Sequence, residues 1–240
     1  AAKSLRPSVT WWMSATLQPG WLQSVDTLDL VESIQAALSI SASKRRGHLW
    51  TDVSKPLERA KADDEKDLAS IAAEAFRKHG RGRLTLVVVN TVERARRVHH
   101  LLTRDLHKEL PDGEIRLVHS RFRPAERRTW RDEFLRRDAP MKTGRVIVST
   151  QVVEAGVDLD ASLLVTEIAP WQCLVQRFGR AARGVGTSPV IVVEFQSEIT
   201  TPYSRDDLDA ALKALKKFAD VAPLHLEQFE EGLAEKERQR

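Results

Sequence analysis

The chain has 240 residues, of which 42% are hydrophobic and 30% charged, and its formal net charge is +4. This length and apolar content are sufficient for a buried core, and the single cysteine, Cys173, excludes a disulfide framework. No apolar run approaches the roughly twenty residues of a membrane span and the N-terminus has no signal-peptide core, so we expect a cytoplasmic protein without a membrane partner.

The first part of the chain alternates apolar and polar stretches. Val9 to Met13 is a short apolar run, and residues 21–40 have mixed helical character. Residues 41–62 are polar and have no strong period, which is typical of an interdomain linker. Asp63 and Asp64 can then cap the helix that follows them.

The middle of the chain contains five short apolar runs, several of them rich in valine and isoleucine. These runs are Leu84–Val89, Ile115–Val118, Val146–Val148, Leu163–Ile168 and Val190–Phe195. Helices are predicted between most of them, at about residues 92–108, 124–137 and 172–182. The alternation predicts an α/β fold with a parallel sheet, and the fully apolar runs indicate that helices cover both faces of that sheet.

The last forty residues have a different pattern from the middle of the chain. Asp206 to Phe218 carries apolar residues at helical spacing and is predicted to be an amphipathic helix. Residues 227–240 are strongly charged and are interpreted as a frayed helix or as the start of a further domain. We therefore describe residues 201–240 as a helical extension.

Polar residues follow the ends of several predicted strands. They are Ser14–Thr16, Asn90–Thr91, His119–Arg121 and Ser149–Gln151. Ligands of open parallel sheets bind beyond the carboxyl ends of the strands. This placement therefore predicts a binding site at one edge of the sheet.

The segment from Gln176 to Arg183 contains the most specific pattern in the chain. Arg180 and Arg183 are three residues apart, so on the predicted helix they would share a face and reach one small anion together. Guanidinium groups match phosphate oxygens, and an arginine beside a transferring phosphoryl group stabilises the charge of the transition state. The pattern predicts a pair of arginine fingers.

Three segments in order resemble motifs of superfamily two helicases. Gln176, Gly179, Arg180 and Arg183 complete the sixth motif, the residues from Ser149 to Asp158 resemble the fifth, and Met13 to Leu17 resembles the third, Ser-Ala-Thr motif. The sequences of the segments, especially of Val118–Phe122 and Ser149–Asp158, are most similar to those of the CRISPR-associated helicase-nuclease of type I systems. The resemblance implies a RecA-like second motor domain.

The resemblance also implies a role for each matching residue. The catalytic group would be Arg180, Arg183 and Gln176; the coupling group Ser14, Ala15 and Thr16; and the ATP-binding group Gly156, Asp158 and Gly179. The nucleic-acid-binding group would be Asn90, Thr91, His119, Ser120, Arg121, Thr150 and Gln151. Within these groups, Gly156 is expected to let the backbone pass close to the cleft.

Several of these assignments have alternatives. Thr91 and Thr150 can each be only a helix cap instead of a phosphate contact. Asp158 can bind the ATP ribose or orient the arginines, and the role of Glu154 stays open. The arginine-rich stretch 121–137 can face nucleic acid, a neighbouring domain or only water.

The phosphate-cradling part of a motor is not recognisable in the sequence. None of the eleven glycines is followed by lysine, so there is no P-loop, and Asp64 to Asp67 is interpreted as a helix start and not as a magnesium-binding Walker B element. We expect residues 1–40 to be the edge of a first motor domain, 41–62 a linker and 63–200 the second motor domain. ATP and Mg²⁺ would be bound mainly by an N-terminal RecA-like domain outside this chain, so the chain alone is expected to be inactive.

The resemblance implies further partners: single-stranded DNA, a nuclease domain and a CRISPR surveillance complex. The seven histidines are scattered and none precedes an aspartate, so we expect no metal site in this chain. Two other functions stay open, a superfamily two helicase of RNA or repair and a non-catalytic module that binds nucleic acid or a partner protein.

Overall fold

A computed structural model describes most of the chain beyond residue 46. The described ranges are 47–111, 114–141, 143–184, 186–196 and 200–226. The chain divides into two compact units, residues 1–45 and residues 46–240. The coupling residues Ser14, Ala15 and Thr16 lie outside the described residues, as does the predicted domain edge 1–40.

Helices and strands alternate along the described chain. The helices are α1 (His48–Thr51), α2 (Glu65–Ala75), α3 (Val92–Leu106), α4 (Pro124–Arg127), α5 (Trp130–Glu133), α6 (Trp171–Phe178) and α7 (Arg205–Leu215). The strands are β1 (Val53–Ser54), β2 (Leu57–Ala62), β3 (Leu84–Val88), β4 (Ile115–Val118), β5 (Arg145–Ser149), β6 (Leu163–Glu167), β7 (Gly186–Thr187) and β8 (Val190–Phe195). A π-helical turn at Phe76–Gly80 extends α2, and a 3₁₀ turn at Gln151–Val153 follows β5.

The main sheet has the strand order β2-β8-β6-β3-β5-β4, and every neighbouring pair is parallel. Alternate residues of β3 enter two different cores. Leu86 and Val88 pack in the core that includes Leu174 of α6, whereas Val87 packs in the core that includes Leu102 of α3. Helices therefore cover both faces of a parallel sheet, and the predicted fold class is confirmed.

The predicted linker 41–62 needs correction at its C-terminal end. Leu57–Ala62 is an edge strand of the main sheet and pairs with β8 over its whole length. Of its six residues only Ala62 is buried. An edge strand bonds on one side only and needs no continuous apolar face, which is why this polar strand resembled a linker.

Caps and interruptions set the helix limits. Asp64 Oδ1 accepts hydrogen bonds from the backbone N of Lys66 (2.7 Å) and Asp67 (3.1 Å), as expected for the predicted cap of α2. The helix predicted over 124–137 is instead two short helices, α4 and α5. The helix predicted over 172–182 is also shorter, because α6 ends at Phe178.

Candidate functional site

Four strands of the main sheet end side by side. Val88 of β3 pairs with Ser149 of β5 and with Thr166 of β6, and Val118 of β4 also pairs with Ser149. The polar residues that follow these strands therefore lie along one edge of the sheet, as the sequence predicted, and we call it the strand-end edge. The edge also contains Glu167, at the end of β6.

Asn90 faces the protein interior at this edge. Asn90 is 4% exposed. Its side-chain amide donates to the Ile168 carbonyl (2.7 Å), and its Oδ1 accepts from Arg177 Nη2 (3.1 Å). Both polar ends of the side chain are thus bonded within the domain, and the contact of Asn90 with nucleic acid stays a prediction.

The neighbouring threonines and Gln151 are also tied into the domain. Thr91 Oγ1 accepts from Arg94 N (3.2 Å), so the alternative reading of Thr91 as a helix cap describes its contact here. Gln151 Nε2 donates to the Asn90 carbonyl (2.8 Å) and to Tyr203 Oη (3.2 Å), and Thr150 is buried. These contacts hold the ends of β3 and β5 at a fixed separation.

The segment after β4 presents the most accessible of the predicted nucleic-acid residues. His119 is buried and stacks on Phe122 with 4.3 Å between ring centroids, and burial, with Arg121 and Arg96, lowers the pKa of His119 below its usual value. Ser120 is exposed, and Arg121, whose side chain is 66% exposed, pairs with Glu93 at 3.1 Å. Ser120 and Arg121 are therefore the members of this segment that solvent reaches.

Arg177 connects several elements and was not identified from the sequence. Arg177 is completely buried. Nε donates to Glu154 Oε1 (2.8 Å), Nη1 donates to Thr166 Oγ1 and the Glu167 carbonyl (both 3.0 Å), and Nη2 donates to Asn90. One guanidinium thus joins α6, the ends of β3 and β6, and the loop after β5.

A signal for Arg177 was present in the sequence. Residue 177 lies three positions after Leu174, which is buried on α6, so both residues lie on the face that packs on the sheet. A charged residue on a buried helix face requires partners. Glu154, whose role the sequence left open, is one of them.

Glu167 and Arg94 form a second buried ion pair at the same edge. Arg94 Nη1 contacts Glu167 Oε1, and Glu167 Oε2 accepts from Asn90 N at 2.8 Å. Burial raises the pKa of Glu167, whereas the nearby Arg94 opposes that change. The pair fixes the first turn of α3 against β6.

Arg180 and Arg183 lie in what we call the arginine loop, residues 179–184. Because α6 ends at Phe178, the expectation that both arginines share a helix face is wrong. The loop after β5 brings them together instead. Arg180 Nη1 donates to the Val157 carbonyl (2.9 Å) and Nη2 to the Glu154 carbonyl (2.5 Å), while Arg183 Nη1 donates to Asp158 Oδ1 (2.6 Å).

The two arginines differ in their surroundings. Burial, followed in size by the nearby Arg183, lowers the pKa of the half-buried Arg180 guanidinium. The Nε of Arg180 is buried and has no hydrogen-bond acceptor among the described residues. The Arg183–Asp158 pair is more accessible, since the Asp158 side chain is 69% exposed. A surface pair of this kind is weak and can be exchanged for another anion.

The remaining residues of the predicted ATP-binding and catalytic groups lie in or beside these loops. Gly156 has a φ of +73°, and a Cβ added there would meet no atom within 4 Å. This positive φ is a backbone conformation that glycine adopts readily, and the predicted approach of Gly156 to the cleft stays a prediction. Gly179 ends α6, with its N donating to the Val175 carbonyl (3.0 Å), and Gln176 is half-buried on the last turn of that helix.

Asp160 links the arginine loop to the arginine-rich stretch. Its Oδ1 accepts from Arg183 N (2.7 Å), and its Oδ2 contacts Arg137 Nη2 (3.0 Å). Part of the stretch 121–137 therefore faces the neighbouring loops of the same domain.

Two kinds of feature are absent from the described residues. No group of three or more histidine, cysteine, aspartate or glutamate side chains among them is arranged to hold a metal ion. No helix in the described part of the chain is long and apolar enough to cross a membrane.

Known proteins resemble the part of the chain that contains this site. Residues 81–185, which include the strand-end edge and the arginine loop, match the family described as CRISPR-associated nuclease/helicase Cas3, C-terminal. The CRISPR-associated helicase Cas3 of Thermoproteus tenax is 31% identical over 137 residues, which are 57% of this chain and 22% of that protein. The CRISPR-associated nuclease/helicase Cas3 of Methanothermobacter thermautotrophicus is 27% identical over 218 residues, or 86% of this chain and 25% of that protein.

The solved structures agree on the fold. The crystal structure of T. fusca Cas3 superimposes with a TM-score of 0.57 and 23% identity, over 78% of this chain and 23% of that one. The chain thus spans about a quarter of the length of the relatives it matches. Residues 81–185 are thus similar to the C-terminal region of the Cas3 nuclease/helicases.

Proposed function

We propose that this chain is the second motor domain of an ATP-dependent translocase that moves along single-stranded DNA in a type I CRISPR interference system. The observation that supports the proposal best is the arginine loop, in which two guanidinium groups are held by the loop after β5. Arginines fixed in this way offer a rigid, positively charged surface to a phosphate. The ATP that they would meet is bound mainly by an N-terminal RecA-like domain with its P-loop and Mg²⁺.

The two arginines have separate parts in the proposed reaction. Arg180 is held by two backbone carbonyls, so it is the more rigid of the two. Its buried Nε has no acceptor among the described residues. Arg180 acts as the finger that stabilises charge on the transferring phosphoryl group. Arg183 exchanges its exposed partner Asp158 for the nucleotide, which makes its contact dependent on occupancy.

The loop after β5, which holds Arg180, also contacts the strand-end edge. The backbone carbonyl of Glu154 holds Arg180, while its carboxylate holds Arg177, which in turn holds Asn90. A displacement of Arg180 on ATP binding would therefore be transmitted to the ends of β3 and β6. The exposed residues Ser120 and Arg121, with the backbone amides near Thr91 and Thr150, would grip the phosphates of one DNA strand and release them after hydrolysis.

The names of the relatives support the wider context. They are CRISPR-associated helicases, and several are named as nucleases as well. We infer that a nuclease domain and a CRISPR surveillance complex act with the longer protein, which would unwind DNA for cleavage.

The test is the variant Arg180→Ala in a protein that also carries the P-loop domain. We expect kcat for ATP hydrolysis to fall about a thousandfold, because the finger acts on the transition state, while the affinity for single-stranded DNA changes little. Arg59→Ala, an exposed arginine on β2, is the matched control and should leave both unchanged. An equal loss of hydrolysis and DNA binding in Arg180→Ala would contradict the finger assignment.

A further inference from the structure

Lys55 is a buried cation that the proposed reaction does not use. It lies between β1 and β2 and is 3% exposed. Its ammonium donates to the carbonyl of Phe178 at 2.8 Å. Burying a lysine is costly, and here burial lowers its pKa to about 8, although Asp220 and Asp160 act to raise it.

The carbonyl that Lys55 contacts belongs to the turn that leads into the arginine loop. Phe178 is the last residue of α6, and its carbonyl also accepts from Ala181 N at 3.2 Å. A cation at the C-terminal end of a helix interacts favourably with the unpaired carbonyls there. Lys55 thus stabilises the turn that directs Arg180 away from the helix axis.

The segment around Lys55 also holds the far end of the arginine loop. β1 pairs with β7, which follows that loop, and Gly186 N donates to the Asp52 carbonyl at 3.1 Å. Ser188 N donates to the Ser54 carbonyl at 3.0 Å. Residues 52–55 therefore contact the chain both before and after the two arginines.

Lys55 is itself fixed to the domain through its backbone. Its N donates to Asp220 Oδ2 (2.9 Å), which also accepts from Ser54 Oγ (2.7 Å), and its carbonyl accepts from Val221 N (2.9 Å). These bonds fix the backbone from which the Lys55 side chain extends.

We propose that Lys55 is a positioning residue for the arginine fingers, holding the Phe178 carbonyl so that Arg180 and Arg183 meet the loop after β5. The inference rests on the proposed function, because its consequence is measured as ATP hydrolysis. It also gives residues 52–55 a role, since they contact the chain on both sides of the arginine loop.

The experiment compares Lys55→Met and Lys55→Arg with the control Lys61→Met in a protein that also carries the P-loop domain. Lys61 is an exposed lysine on β2. We expect Lys55→Met to lower kcat by about tenfold to a hundredfold, since a finger displaced by about 1 Å loses this much. KM for ATP and the Kd for single-stranded DNA should stay within about threefold of the wild-type values. Lys55→Arg, which retains the cation and a donor, should recover part of kcat, and Lys61→Met should have no effect.

A double variant separates positioning from general damage. In the Arg180→Ala background the finger is absent, so adding Lys55→Met should lower kcat by less than about twofold further. An undiminished effect of Lys55→Met in that background would overturn the proposal. If Lys55→Met does not fold, Lys55→Gln, which is neutral but still has a donor, carries the same comparison.

The remaining outcomes distinguish this inference from the proposed function. A loss of kcat in Arg180→Ala without any loss in the folded Lys55 variants would overturn the inference and leave the arginine finger in place. An unchanged kcat in Arg180→Ala would refute the finger itself, and the positioning role of Lys55 with it.

Discussion

The candidate site depends strongly on the side chain of Arg177. Its guanidinium is completely buried and bonds to Glu154, Thr166 and Asn90. Removing one partner of a buried ion pair leaves an uncompensated charge in the interior. We expect Arg177→Met to lower the free energy of unfolding by about 3–5 kcal/mol, measured by urea denaturation of the chain.

The matched control for Arg177 is Arg59→Met, which changes an exposed arginine on β2. This variant should unfold at nearly the wild-type urea concentration. If Arg177→Met were no less stable than this control, the buried network would not hold the ends of β3 and β6 together. Glu154→Gln keeps the shape of the partner and should cost less than Arg177→Met, because an amide can still accept a hydrogen bond.

Individual residues show how far sequence reasoning reaches into the site. The sequence predicted that Arg180 and Arg183 belong to one site with Asp158. The contacts of Arg180 with Val157 and of Arg183 with Asp158 do join these segments. Sequence reasoning misjudged the local geometry, because residue types and spacing do not show where a helix ends. It did not reveal the hydrogen bond from Arg177 to the Asn90 side chain, because this contact depends on packing that a linear pattern does not contain.

At the scale of secondary structure, the apolar strands were predicted well and the polar ones were not. The five apolar runs correspond to β3, β4, β5, β6 and β8, because strands covered on both faces need continuous apolar residues. β2 bonds to the sheet through its backbone on one side, so its sequence carries no comparable pattern. The strands β1 and β7 also carry no recognisable pattern, since each has only two residues.

This difference leads to a prediction about where the domain begins. A chain that starts at residue 63, after the predicted linker, lacks β2 and Lys55 and exposes the edge of β8, whose residues are nearly all buried. An exposed apolar edge strand favours aggregation. We expect this chain to form soluble oligomers or aggregates in size-exclusion chromatography, whereas a chain that starts at residue 46 elutes as a monomer like the full 240 residues.

The outcome of that comparison bears on the role of β2. If the chain from residue 63 were monomeric and as stable to urea as the chain from residue 46, β2 would be a dispensable attachment to the sheet. A chain from residue 57 is a useful intermediate, because it restores β2 without Lys55. We expect it to be monomeric, since the β8 edge is covered again.

At the scale of the whole molecule, the described unit contains one side of the proposed reaction. Its parallel sheet brings the strand-end residues to one edge, and the arginine loop is connected to that edge through Glu154 and Arg177. The Cas3 proteins of Thermoproteus tenax and Methanothermobacter thermautotrophicus are about four times as long as the regions that match this chain. The proposed hydrolysis therefore requires parts of a longer protein that bind the nucleotide.

The last prediction concerns that dependence. We expect the 240-residue chain alone to hydrolyse no ATP, because no glycine in it is followed by the lysine of a P-loop. Joined to the P-loop domain of the same protein, it should hydrolyse ATP at a rate that single-stranded DNA increases and RNA of the same sequence does not. Turnover by the chain alone would show that it has a nucleotide site of its own, and equal stimulation by RNA would favour an RNA helicase. Inactivity of the joined protein, with both domains folded, would favour a module that only binds nucleic acid or a partner, because a paired-arginine loop facing a bound ATP should support hydrolysis.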